Sequence, residues 1–221
     1  MNIINKYDKT IKTKTHLQVS CKYIMLLLAF FLVSLPSQGA LTASDVAKKT
    51  AALINGTNGV SATFSITANG KTVKGSVKTS GKKFFVSVPQ MSTWYNGSSL
   101  YTYNPRINET TVTTPTAQEL MESNPLLYVN ASSAYRYSFS PVKRNGKYVV
   151  DVIPSNQKQG IKKLTITVSS TTFHPEKISV TTGSGTTVIT VTSFRTGVSG
   201  QASEFEYPKS RYPKAEIIDL R

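Results

Sequence analysis

The chain has 221 residues, 26 Lys and Arg against 11 Asp and Glu, a formal charge of +15 and one cysteine. That length supports a domain with a sizeable core, and a lone cysteine excludes a disulfide scaffold. The basic balance favours polyanions or anionic membrane surfaces, yet the lysines are scattered, no run of five basic residues occurs and no nucleic-acid motif is present, so solubility with lysines on exposed strand faces explains the charge.

The first element in chain order is a leader. Residues 24–35, "IMLLLAFFLVSL", are apolar apart from Ser34, are preceded by Lys6, Lys9, Lys12, Lys14 and Lys22, and are followed by Pro36 and "SQGA". A basic start, a short apolar run and a small-residue exit describe a secretory signal peptide. Twelve residues make a helix of only about 18 Å, short of a bilayer core of about 30 Å. Cleavage after Gly39 or Ala40 is expected, so residues 1–39 are read as a cleaved signal and 40–221 as a single exported domain. Cys21 precedes the apolar run, whereas a lipid-attachment cysteine would follow it, so the mature chain is expected to lack a lipid anchor. Without the leader the balance is 21 basic against 10 acidic residues, a net +11.

Thr42 and Asp45 then fit a capping box, and Val46, Thr50, Leu53 and Ile54 recur at helical spacing, which predicts an amphipathic helix over 43–54, stopped by Asn55-Gly56. From Val60 the period becomes two. Phe64, Ile66 and Ala68 share a face; Asn69-Gly70 is a hairpin turn; Val73, Gly75 and Val77 continue the other arm. Phe84, Val86 and Val88, then Trp94 and Tyr95, then Leu100, Tyr101 and Tyr103, then Ile107–Thr113 read as a meander of short antiparallel strands. The meander breaks at "TPTAQELMESNPLLYVNASSAY", with a helix start at Thr114-Pro115, a break at Asn124-Pro125 and an apolar patch at Leu126–Val129. Strands resume at 134–140, 146–153, 161–168, 173–182 and 186–195, and Phe205 and Tyr207 read as the inward face of a last strand with Glu204 and Glu206 outward. The closing "EIIDL" reads as a short edge packed through Ile217 and Leu220. Strict alternation gives the sheet one apolar face, and the segments 43–54 and 115–129 are its short cover. The expected class is mainly β (α+β), a strongly curved antiparallel sheet around a barrel-like hollow.

Catalytic equipment is missing from this reading. His174 is the one histidine of the mature chain and falls between strands, with no G-x-S-x-G nearby. Cysteine catalysis is excluded, several convergent metal ligands are lacking, and Glu204 and Glu206 read as exposed partners of lysine rather than a glycosidase pair. No enzyme, cofactor or metal site is expected. An exported β domain with more apolar sheet than cover points to a hydrophobic ligand.

Three stretches carry a family resemblance. "NGSSLYTYNPRINETTVT" (96–113) resembles the hairpin of the LolA-like outer-membrane lipoprotein carriers, "NPLLYV" (124–129) falls at that family's mid-chain apolar break, and "FEYPKSRYPKAEIIDLR" (205–221) resembles its ending. The resemblance implies an unclosed antiparallel β-barrel with short helices forming a lid over an apolar cavity. It implies a soluble, monomeric periplasmic chaperone that takes acylated lipoproteins from an inner-membrane ABC-type release complex and hands them to an outer-membrane acceptor. On that reading Phe64, Phe84, Val86, Trp94, Leu100, Tyr101, Tyr103, Leu164, Ile166 and Ile189 are the candidates for the acyl-chain cavity, and Leu53, Leu120, Met121, Leu126 and Leu127 for the lid. A carrier of another lipid or amphiphile on the same fold, and a non-catalytic adhesion sandwich, are the alternatives. In the family's best-known members an Arg-Pro step ties lid to barrel; here the corresponding "KTSGKKFFVSVP" (78–89) has no arginine, which leaves Lys82 or Lys83 for that role with different donor geometry.

Overall fold

The computed structural model describes residues 41–56, 58–130, 135–154, 160–198 and 200–221; the expected leader lies outside them. Helix α1 (Ala43–Asn55) opens the domain. Strands β1 (Val60–Ala68), β2 (Lys71–Ser80), β3 (Lys83–Val88), β4 (Met91–Tyr95), β5 (Leu100–Asn104) and β6 (Glu109–Thr113) follow, then helix α2 (Ala117–Ser123) and a 3-10 helix (Pro125–Asn130). Next come β7 (Tyr135–Arg144), β8 (Lys147–Pro154), β9 (Ile161–Ser169), β10 (Pro175–Thr182) and β11 (Gly185–Thr196), two short 3-10 helices (Ala202–Phe205 and Lys209–Arg211) and β12 (Glu216–Asp219).

The 12 strands of the described residues form one sheet in the order β12-β6-β5-β4-β3-β2-β1-β11-β10-β9-β8-β7. Neighbours are antiparallel except β12, which runs parallel to β6. The end strands β12 and β7 do not pair with each other, so the sheet is unclosed. The turns are where the Asn-Gly pairs place them. Asn69 and Gly70 have φ of 50° and 73°, and Asn145 and Gly146 have 57° and 70°, the two consecutive left-handed residues that a tight hairpin requires.

The period of two sorts the sheet into two faces. On the inner face Phe64, Val77, Phe84, Val86 and Leu100 from one half join Val150, Val152, Leu164, Ile166, Ile178, Val180 and Ile189 from the other. The registers agree: Ile66 faces Ile189, Ile189 faces Ile178, Ile178 faces Ile166 and Ile166 faces Val150. Gly75 pairs with Phe64, and a Cβ there would lie 2.7 Å from that ring, so the glycine gives the phenylalanine its place. The outer face of the second half is polar: Thr165 Oγ1 donates to Asp151 at 2.7 Å and Lys163 pairs with Asp151 at 2.8 Å.

The outer face of β3–β6 differs, and the chain's end explains it. Residues 203–207 form no strand. Ala202–Phe205 is 3-10 helical, with Glu204 paired to Lys78 at 2.9 Å and Glu206 accepting from Asn96 at 3.0 Å. Phe205 is buried, yet it belongs to the outer side with Trp94 and Val112, apart from the inner core. Tyr207 and Tyr212 pack edge-on to Trp94, at 5.5 and 6.0 Å between ring centres, and against Tyr101 and Tyr103 at 5.6 and 4.1 Å. Tyr207 accepts from Thr110 Oγ1 at 2.9 Å. The closing edge forms as expected, but Ile217 and Leu220 are 42% and 64% exposed. It is held by its parallel ladder and the Leu220 N–H to Val112 O bond, 2.8 Å long, rather than by those two side chains.

Removing residues 212–221 takes away β12 and Tyr212. We expect a loss of about 2–4 kcal/mol and a Tm lower by roughly 5–15 °C; an unchanged Tm would make the segment dispensable. The last turn also has a pH signature. Hydrogen bonds from the Arg221 side chain, then its backbone N–H, hold the Asp219 carboxyl at about 2, below the usual 3.8. A depressed carboxyl stabilises above its ordinary value and loses that contribution as pH falls from about 4 through 2. A carbon-13 titration of Asp219 should give a midpoint near 2, moving toward 3.8 in Arg221→Ala.

Candidate functional site

An apolar inner face needs a cover, and α1 supplies the first part. Its start is closed by the reciprocal box: Asp45 N–H donates to Thr42 Oγ1 at 3.1 Å while Thr42 N–H donates to the Asp45 carboxylate at 3.0 Å. The Asp45 carboxylate also accepts from the Thr42 hydroxyl at 2.7 Å, and that side-chain bond first, then the one from Thr42 N–H, lowers the Asp45 pKa. Val46, Thr50 and Ile54 form the buried stripe, and Val46 and Ile54 enter the sheet's core.

Two hydroxyls tie this helix down. Thr79 of β2, buried, donates to the Ile54 carbonyl at 3.0 Å, satisfying one of the carbonyls a helix end leaves open. Thr50 Oγ1 lies 3.0 Å from Val46 O and 3.1 Å from Phe173 O. Phe173 has φ of +58°, a left-handed conformation costly for a bulky residue. Its ring stacks on Tyr148 and takes the Lys49 ammonium at 4.7 Å from its centre.

The second part of the cover is α2 with the following 3-10 helix. The helix begins at Thr116, slightly later than Thr114-Pro115 suggest, because Thr116 and Glu119 make a second capping box: Glu119 accepts from Thr116 N–H at 2.6 Å and Thr116 Oγ1 accepts from Glu119 N–H at 3.3 Å. No residue of α2 is buried. The 3-10 helix carries the apolar anchors, with Leu126 fully buried and Val129 nearly so. Asn124, buried between the two elements, is the joint. Under α2, at the end of β9 and β10, is a hollow of about 360 Å³, walled by Met121, Tyr128, Ile161 and Val180 with Gln118, Glu122, Thr182 and Ser184.

The ten cavity candidates divide between the faces. Phe64, Phe84, Val86, Leu100, Leu164, Ile166 and Ile189 are brought together on the inner face, all within the one buried cluster. Trp94, Tyr101 and Tyr103 are not with them. Trp94 pairs with Phe85 and Tyr101 across the ladders, so it alternates away from Phe84 and Tyr95 and meets the closing segment instead. Of the lid candidates, Leu126 is the buried anchor, Leu120 and Leu127 pack on the core, Met121 walls the hollow and Leu53 is half-buried. Lys83 alternates with inward Phe84 and so belongs to the outer face, and Lys82 is in the β2–β3 turn; the Thr50 and Thr79 hydroxyls tie α1 down instead. Thr79, Phe173, Ile161 and Val180 were not expected at the site. Thr79's alternation with Val77 put it on the inner face and was the signal for it. His174 packs its ring on Phe194 at 4.6 Å. Among the described residues no three His, Cys, Asp or Glu side chains gather as for a metal ion, and no helix is long and apolar enough to cross a membrane.

This geometry can be compared with known proteins. The family model described as "Outer membrane lipoprotein carrier protein LolA" matches residues 33–184, a span that takes in the described elements from α1 to β10. The fold is similar to that of an uncharacterized conserved protein from Thermus thermophilus, with a TM-score of 0.58 at 10% identity, covering 80% of this chain and 98% of that one. A putative outer membrane lipoprotein-sorting protein domain from Vibrio parahaemolyticus also matches, at 15% identity and TM-score 0.45 over 78% and 98% of the two chains. So does a LolA superfamily protein from Nitrosomonas europaea, at 12% and 0.43 over 76% and 99%. At these identities the likeness is one of fold. No curated protein matches the chain in sequence.

The hydroxyl ties make the cover testable. Thr79→Val keeps the shape and orphans the Ile54 carbonyl, which should cost about 1–2 kcal/mol. Hydrogen exchange should quicken first in α1, ahead of β8–β10; uniform quickening across the sheet would show that α1 has no opening of its own.

Proposed function

The chain belongs to the outer membrane lipoprotein carrier protein family, and we propose that it carries the acyl chains of lipoproteins through the periplasm, from an inner-membrane ABC-type release complex to an outer-membrane acceptor, as a soluble protein. The observation that carries this reading is the inner face itself. It is a continuous apolar surface from β5 across to β8, covered by two short helices and a 3-10 helix, with a hollow where α2 meets the sheet.

The energetics suit a carrier. Each buried methylene gains about 0.8 kcal/mol, so part of a ~16-carbon chain gains several kcal/mol, enough to hold it away from water. The inner face is filled by its own cover, so cargo competes with Val46, Ile54, Leu126 and Val129 for the same surface. The net grip is the difference between acyl burial and cover burial, which keeps it below that of a bilayer and allows release. The acyl chain enters under α2, the part of the cover with no buried residue, and runs along Leu164, Ile166 and Ile189 toward Phe64, Phe84, Val86 and Leu100. No covalent step is involved: the cargo's transfer is a shift between closed and open covers, driven by differential binding.

The test is to export residues 40–221 to a periplasm, purify without detergent and identify bound species by mass spectrometry. Acylated lipoprotein is the expected result. Free lipid alone would redirect the reading to a carrier of another amphiphile, and a protein that binds neither would overturn it.

A further inference from the structure

We propose that the hollow under α2 receives the cargo's head as well as its chain, and that Glu122 on its rim selects acylated peptides whose N-terminal amine is free over those whose amine is itself acylated. The inference rests on the carrier reading and names the class of cargo within it.

Besides its apolar wall, the hollow has a polar rim of Gln118, Glu122, Thr182 and Ser184. Among the described residues that line it, Glu122 is the one charged side chain. Gln118 and Glu122 are one turn apart on α2, and the Gln118 amide donates to Glu122 Oε1 at 2.9 Å, which holds the carboxylate at the rim. No cation among the described residues pairs with that carboxylate. Lys163 of β9 is paired with Asp151 at 2.8 Å, and Lys162 does not line the hollow. The other acid of α2, Glu119, is held by its cap at Thr116.

The rim side chains offer mostly acceptors. Thr182 Oγ1 donates to Gly185 O at 3.3 Å, so the 3.0 Å contact between the two hydroxyls takes Ser184 as its donor. Both hydroxyl protons are then used within the β10–β11 turn, and Ser184 keeps lone pairs to offer. The carboxylate accepts only, and one Gln118 amide proton is the donor left over. Such a rim suits a head that donates, best a charged one, because charge-assisted hydrogen bonds are the stronger kind. It repels a phosphate or a carboxylate, although the exported chain's net +11 favours anions at long range. A peptide acylated on the side chain of its first residue keeps its α-amine, which with a pKa of about 8 is an ammonium at neutral pH. With the chain on the apolar wall, that ammonium is carried to the rim and meets Glu122. Acylating the amine removes the charge and leaves one N–H of the three.

The probes are a matched pair of lipopeptides, S-(2-dodecanoyloxyethyl)cysteinyl-tetraserine amide with its N-terminus free or acetylated, both below their micelle concentrations. Salt is set at about 0.15 M, where a Debye length of about 8 Å screens the scattered lysines. The intact exported domain, residues 40–221, should bind the free-amine form about three- to tenfold more tightly. Glu122 is at an exposed helix position, so its variants should fold, and an unchanged affinity for the acetylated form checks that they do. Glu122→Gln should bring the two affinities together by weakening the free-amine form alone, and Glu122→Lys should invert their order. Equal affinities in the wild-type protein, or a preference that survives Glu122→Gln, would overturn the assignment and leave the carrier reading standing. Binding of neither lipopeptide would remove both.

Discussion

An open sheet with one continuous apolar face has to be covered by something, and that constraint organises the molecule. Twelve strands in one ladder present far more inner surface than a 13-residue helix, a seven-residue helix and a 3-10 helix occupy with ease. The chain resolves this by placing its few long apolar side chains where they count. Val46 and Ile54 come from α1, Leu126 and Val129 from the 3-10 helix. α2 contributes no buried residue and spans the gap as a roof. Where the roof is not filled in, the hollow remains. A closed sandwich would bury the same strands more completely and would leave nothing for a ligand to displace.

The two faces are used for different ends. The inner face carries mostly aliphatic and phenylalanine side chains, with Tyr148 in the core and Tyr95 packed against it. Trp94, Tyr101 and Tyr103, with a polar hydroxyl or indole N–H to satisfy, are gathered on the outer face of β3–β6 with Tyr207 and Tyr212 of the closing segment. There the rings stack at offset and edge-on angles, and Thr110 bonds Tyr207. This outer cluster clamps the strands nearest the β12 edge, so the half of the sheet with the weakest helical cover is braced from behind.

Much of this was legible in the residues. Period-two alternation and the Asn-Gly pairs placed nearly every strand and turn, because a left-handed pair tolerates few other residues and a tight hairpin then sets the register. The capping box at Thr42 and Asp45 announced α1. The inner set Phe64, Phe84, Val86, Leu164, Ile166 and Ile189 follows from alternation within isolated strands. Trp94 and Tyr101 were misplaced because each sits beside another apolar residue, Tyr95 and Leu100, so alternation names two faces without saying which is inner; the ladder from β3 to β4 decides it. The end of the chain misled for a related reason. "EFEY" alternates perfectly over four residues, but it has no ladder partner, and Pro208 removes the next donor. The place of Glu122 on the hollow's rim has no trace in composition or period, since it arises from how α2 lies over the ends of β9 and β10.

Two kinds of contact hold the cover: the buried Val46, Ile54, Leu126 and Val129 side chains, which an apolar ligand could replace, and the hydroxyl ties, which it could not. The family's arginine would bring a charge, with a desolvation cost on closing and a salt-dependent grip. Thr50 and Thr79 bring neutral hydroxyls, each of which contributes on the order of 1 kcal/mol net and responds little to ionic strength. One of them ends on the carbonyl of Phe173, which sits in the left-handed turn between β9 and β10. The ties therefore add a small increment to the apolar contact, one that salt does little to screen. On the carrier role proposed above, ties of that size leave the cover to open when acyl burial offsets the apolar contact it replaces.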